Sequence, residues 1–156
     1  MSQVIYEFDT RDRKDAYVTD YFDKQGMKWI RTKLYAGDVK LLNSTRVIID
    51  LKANTEEIAH NICNNKEHLR LVREIERAKE ILCEDFIFLI KDDKIKSVED
   101  LIKWTSNKTK VKGATLYKAM CTMTKKYGCR FIFTSKKNAP KKVIELLGGK
   151  NENIKN

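Results

Sequence analysis

The sequence predicts an α/β fold of three layers, a central mixed β-sheet flanked by helices, and three observations lead there. Two short apolar runs, FIFLI at Phe86–Ile90 and RFIFT at Arg130–Thr134, have the length and continuity of strands buried on both faces. Stretches with helical periodicity alternate with them, as parallel strands require of their crossovers. Between them lies a hairpin signal. The runs VKLL and RVIID flank Asn43-Ser44-Thr45, a polar turn joining two aliphatic strands.

Taken in order, residues 3–9 alternate, with Val4, Tyr6 and Phe8 on one side and Ile5, Glu7 and Asp9 on the other, which predicts a strand ending at Asp9. Thr10 is placed to cap a helix over 12–25 with Asp12 in its first turn, and Gly26 ends it. Met27–Tyr35 reads as a second strand, and the hairpin follows. Asn54 or Thr55 opens the next helix, and Asn64-Asn65-Lys66 interrupts it; residues 55–83 are counted as one helical element. Its second half sets Leu71, Ile75, Ala78 and Leu82 against a basic face of Lys66, Arg70, Arg73 and Arg77. After FIFLI, Ser97 and Asp100 mark a short helix to Trp104. Residues 105–112 form a basic loop. A helix over 114–127 stops at Gly128, RFIFT follows, and Pro140 opens a last helix through Leu147. The ordered domain is read as 1–148, with 149–156 a flexible tail. The hairpin is expected toward one edge of the sheet.

The composition narrows the class. The chain has 156 residues, 42% hydrophobic and 35% charged, with one proline, which suits one globular domain. Its four cysteines show no metal-finger spacing and read as free thiols. Neither a signal peptide nor a membrane span is visible, so an intracellular protein is expected. The net charge of +10 favours a polyanion partner, DNA, RNA or an acidic protein.

The chemistry is expected at the open end of the hairpin. Asp38 stands where its first strand begins, and Asp50 and Lys52 leave one face of the second. Two carboxylates and an ammonium suit one divalent metal and one positioned water, with Lys52 stabilising developing negative charge. Asp9 reaches the same metal, or a second one, if the first strand lies beside the hairpin.

Asp9-Thr10-Arg11-Asp12, Gly37-Asp38-Val39 and Ile49-Asp50-Leu51-Lys52 with Glu56 following resemble the motifs of the XPF-type nuclease domain, in the restriction-endonuclease-like superfamily. FIFLI and the closing helix, strand and helix are similar to that family too. The resemblance implies a Mg²⁺- or Mn²⁺-dependent endonuclease acting on branched or flapped DNA, with Asp9, Asp38, Asp50 and Lys52 catalytic. The first three would hold the metal, and Arg11, Asp12 and Glu56 would support it. The sequence departs from the family at Asp12 and Asp50, where glutamate is usual, at Glu56, where aspartate is usual, and at Leu51, where the family carries arginine. Those departures leave an alternative, an inactive DNA- or partner-binding module on the same fold; RNA as the substrate is a further one. Family members commonly pair as dimers and carry a tandem helix-hairpin-helix domain that this sequence does not show. The resemblance therefore implies a homodimer or a separate DNA-binding partner, and small stand-alone versions resemble phage or mobile-element proteins. Arg70, Arg73, Lys110 and Lys112, with Arg77 and Lys108, are the cations expected to meet the DNA backbone.

Overall fold

A computed structural model describes residues 3–11 and 14–148; Asp12 and the tail 149–156 lie outside the described residues. The alternation of residues 3–9 produces β1 (Ile5–Asp9), whose Tyr6 and Phe8 are fully buried against α1 (Ala16–Lys24). β2 (Lys28–Thr32) runs parallel to β1 at the sheet edge and is shorter than the predicted 27–35 run. The first helix also starts later than predicted. Asp15, not Thr10, stands at its N-cap, because Asp15 is wholly buried as the bidentate partner of Arg31, at 2.7 and 2.8 Å.

β3 (Val39–Leu41) and β4 (Val47–Lys52) form the expected hairpin. Its position differs from the expectation. The sheet order is β2-β1-β3-β4-β5-β6, so the hairpin occupies the centre. β3 pairs antiparallel with β1, and β4 pairs parallel with β5 (Asp85–Lys91), the FIFLI strand. The predicted single helical element over 55–83 is two helices, α2 (Thr55–Cys63) and α3 (Asn65–Glu80). Asn64 ends the first and caps the second, its side chain accepting from the Glu67 amide at 3.1 Å. Ser97 caps α4 (Val98–Lys103) as expected, and Gly128 ends α5 (Gly113–Tyr127) in the left-handed conformation.

β6 (Arg130–Thr134) closes the sheet at the other edge, so Phe131, Ile132 and Phe133 are only half-buried, unlike β5. The last helix, α6 (Ala139–Leu147), has Pro140 in its first turn. The two cores confirm three layers. Ile48, Phe86, Phe88 and Ile90 face α2, α3 and α5, and Ile49, Ile87 and Leu89 face α1 and α6. None of the described helices is long and apolar enough to cross a membrane.

Candidate active site

Strand register decides where the acids go. Phe8 pairs with Val39, and Val39 pairs with Ile49. One residue further along, Asp9, Asp38 and Asp50 therefore stand in a row across β1, β3 and β4. The Asp9 amide donates to the Asp38 carbonyl at 2.9 Å and the Asp38 amide to that of Ile49 at 2.8 Å, which carries the row to the end of the sheet. Opposed residues share a face, and Lys52 lies two residues beyond Asp50, on the same face. That is the face covered by α2 and α3. A cavity of about 540 Å³ opens there, and Asp9, Asp38, Asp50, Lys52 and Arg11 all line it.

Each acid is held differently. Asp9 is buried and spends both oxygens: Oδ1 accepts from the Leu34 amide at 2.8 Å and Oδ2 from Arg11 Nε at 2.8 Å. Burial alone would raise its carboxyl, but Arg11 and the two backbone amides outweigh it and hold the pKa below the ordinary value. Asp38 Oδ2 accepts from the Leu51 amide at 2.7 Å. Leu51 thus serves the site through its backbone while its side chain packs on the opposite face, beside the α1/α6 core. Asp50 is 7% exposed, and burial pushes its carboxyl up to about 6 against the pull of Lys52, whose Nζ lies 3.2 Å from Oδ1. That Oδ1 atom is buried and makes no well-directed hydrogen bond. For Lys52, burial pulls the ammonium down, but the charges of Asp50 and Glu57 outweigh it and raise the pKa. Lys52 is therefore a cation at neutral pH, suited to stabilising negative charge and not to taking a proton.

The helices add groups that the motifs did not mark. Glu57, not Glu56, lines the cavity; its Oε1 accepts from the Ala53 amide at 2.7 Å. Glu56 turns the other way and receives the Ser106 hydroxyl and the Asn107 amide, both at 2.7 Å, fixing the 105–112 loop. One residue on a helix is a rotation of about 100°, so neighbouring glutamates face different groups. Glu74 on α3 enters from the opposite wall. Its Oε2 accepts from the Gly37 amide at 2.7 Å, and Oε1 pairs with Arg77. Gly37 has φ +74°, and a Cβ there would sit 2.3 Å from Ile48 Cγ2, so the turn that presents Asp38 tolerates only glycine. Lys14, Tyr17 and Lys91 line the mouth, Lys91 Nζ lying 4.1 Å from the centre of the Tyr17 ring.

Of the expected backbone contacts, Arg70, Arg73 and Arg77 line a second cavity that adjoins the first, whereas Lys110 and Lys112 line neither. Both lysines are exposed on the loop that Glu56 anchors.

The donors fit a divalent ion. Among the described residues no three His, Cys, Asp or Glu side chains are grouped as a metal cage. Mg²⁺ asks for less: one or two carboxylates, with water and substrate phosphate completing the shell. Asp38 and Asp50 supply two hard oxygen donors on one cavity wall, and the buried Asp50 Oδ1 has only the Lys52 ammonium, 3.2 Å away and poorly directed, to balance it.

A mixed six-stranded sheet thus carries an acidic row, with Lys52 beside it, on the wall of a cavity that Arg11, Lys14 and Lys91 also line. The ERCC4 domain matches residues 8–147, and the chain belongs to that family. Among solved structures it is similar to XPF from Aeropyrum pernix, with TM-score 0.68 and 18% identity over 97% of this chain and 69% of that one. A second structure, XPF from Aeropyrum pernix in complex with DNA, aligns with TM-score 0.69 and 18% identity over 93% of this chain and 64% of that one. A search of the curated proteins finds no match.

Proposed function

We propose that this chain is a divalent-metal-dependent DNA endonuclease that prefers branched or flapped DNA. The observation that carries the reading is the row of Asp9, Asp38 and Asp50 on three adjacent strands with Lys52 beside it, in one cavity. Membership of the ERCC4 family supports it, as does the similarity to a relative solved with DNA.

Asp38 and Asp50 would hold Mg²⁺ or Mn²⁺, which supplies Lewis-acid activation of water and neutralises phosphate charge when bound. Asp9 stands third in the row and orients Arg11 toward the cavity. Lys52 places its ammonium where the attacked phosphate gathers negative charge, and the buried setting strengthens that interaction. Arg11, Lys14 and Lys91 at the mouth draw in the backbone, helped by the net charge of +10. Lys110 and Lys112 would meet DNA only beyond the cleavage cavity.

The test is cleavage of labelled flap, fork, junction, duplex and single-stranded DNA with Mg²⁺ or Mn²⁺. The expected result is cutting of the branched substrates, reduced about 10²–10³-fold in Lys52→Ala. No cutting of any substrate, or equal cutting by Lys52→Ala, overturns the reading; DNA binding without cutting would favour the inactive module instead.

A further inference from the structure

The second cavity, about 300 Å³, lies between β4 and the helices α2 and α3. It shares Asp50, Lys52 and Glu74 with the first, so the two cavities adjoin along β4 and α3. Its volume stands at the small end of ligand pockets, which run from about 300 to 1,000 Å³. Two kinds of recognition chemistry line it. Arg70, Arg73 and Arg77 come from one face of α3 at three- and four-residue spacing. Glu67 steadies Arg70 at 3.1 Å and Glu74 steadies Arg77, yet a guanidinium has five N–H donors and these pairs use only some of them. The remaining donors suit a phosphate. Asn61, from α2, brings the opposite need. Its Oδ1 is buried without a hydrogen-bond partner and wants a donor. A phosphate has none to give, but a nucleobase does, in its amino or imino N–H.

We propose that this cavity binds the nucleotide flanking the cut, unpaired and turned out of any duplex, with its phosphate on the α3 arginines and its base edge on Asn61. The proposal rests on the cleavage site described above and deepens it. A base that must enter a pocket cannot stay stacked in a helix, so the pocket itself selects DNA with an unpaired nucleotide at the branch. The arginines alone would bind any backbone; Asn61 supplies the discrimination.

The experiment is fluorescence anisotropy with a labelled flap DNA, the same flap carrying an abasic tetrahydrofuran at the first unpaired position, and a matched duplex, all in EDTA. This reads binding even where nothing is cut, so it stands apart from the cleavage test. The wild type is expected to bind the flap about tenfold more tightly than the duplex or the abasic flap. Asn61→Ala should erase the difference between normal and abasic flap while keeping duplex affinity. Arg77→Ala should lower flap affinity more than duplex affinity. Arg73→Ala, at an exposed position, repeats that arm should Arg77→Ala fail to fold. An abasic flap bound as tightly as the normal one overturns the proposal, as does an equal loss on flap and duplex in the arginine variants.

Discussion

Replacing Asp50 with asparagine should make the metal-free protein more stable while removing the proposed nuclease activity. The carboxyl is 7% exposed, and burial lifts it from 3.8 to about 6 even with Lys52 at 3.2 Å. A carboxyl whose pKa rises on folding holds its proton more tightly in the native chain. Its contribution to stability is complete below about pH 4 and is lost as the pH rises through about 6. A rise of that size corresponds to about 3 kcal/mol near neutral pH. Asp50→Asn keeps the shape and abolishes the ionisation. In EDTA it should exceed the wild type by about 3 kcal/mol at about pH 7.5, and by less than about 1 kcal/mol near pH 4. In a domain of this size that is a rise in melting temperature of about 6–12 °C at the higher pH. Urea unfolding of both proteins at the two pH values measures it. A variant less stable than wild type at about pH 7.5, or a gain that does not shrink in acid, refutes the burial argument.

Two further substitutions probe the turn that presents Asp38. Gly37→Ala combines a φ of +74° with a Cβ placed 2.3 Å from Ile48 Cγ2 and 3.1 Å from the Ile49 carbonyl. It should destabilise the fold by about 2–5 kcal/mol, read by urea unfolding. Glu74→Ala removes the acceptor for the Gly37 amide and the partner of Arg77. Calorimetry should show Mn²⁺ affinity lowered about 10–100-fold, while Glu74→Gln, which keeps an acceptor for Gly37, should recover most of it.

The sequence made local features legible and left long-range ones hidden. The hairpin, the alternation of β1 and the buried run of β5 are all patterns within a few residues, and each is present in the structure. Asp38, Asp50 and Lys52 share a cavity because a hairpin and a two-residue period bring them together. Asp9 joins them only because β1 pairs with β3, a contact between segments some 30 residues apart that no local pattern encodes. The same ignorance of pairing put the hairpin at the edge instead of the centre. Glu56 is marked only by the resemblance, as the match to the family's acidic residue after the lysine, but the helix cap at Asn54 sets the phase of α2 and turns Glu57 to the site. Glu74 was invisible because it sits within the basic face of α3, where it reads as one more surface charge until the fold brings it to Gly37. The arginine stripe was legible from helical spacing, and its place beside the cavity was not.

Under the proposed function, Asp38 and Asp50 together hold one divalent ion. Calorimetric titration of Mn²⁺ into the wild type and Asp38→Ala tests it most directly. One ion per chain in the wild type and none in the variant is the expected result. An Asp38→Ala protein that binds Mn²⁺ as the wild type does, or a wild type that binds none, contradicts it.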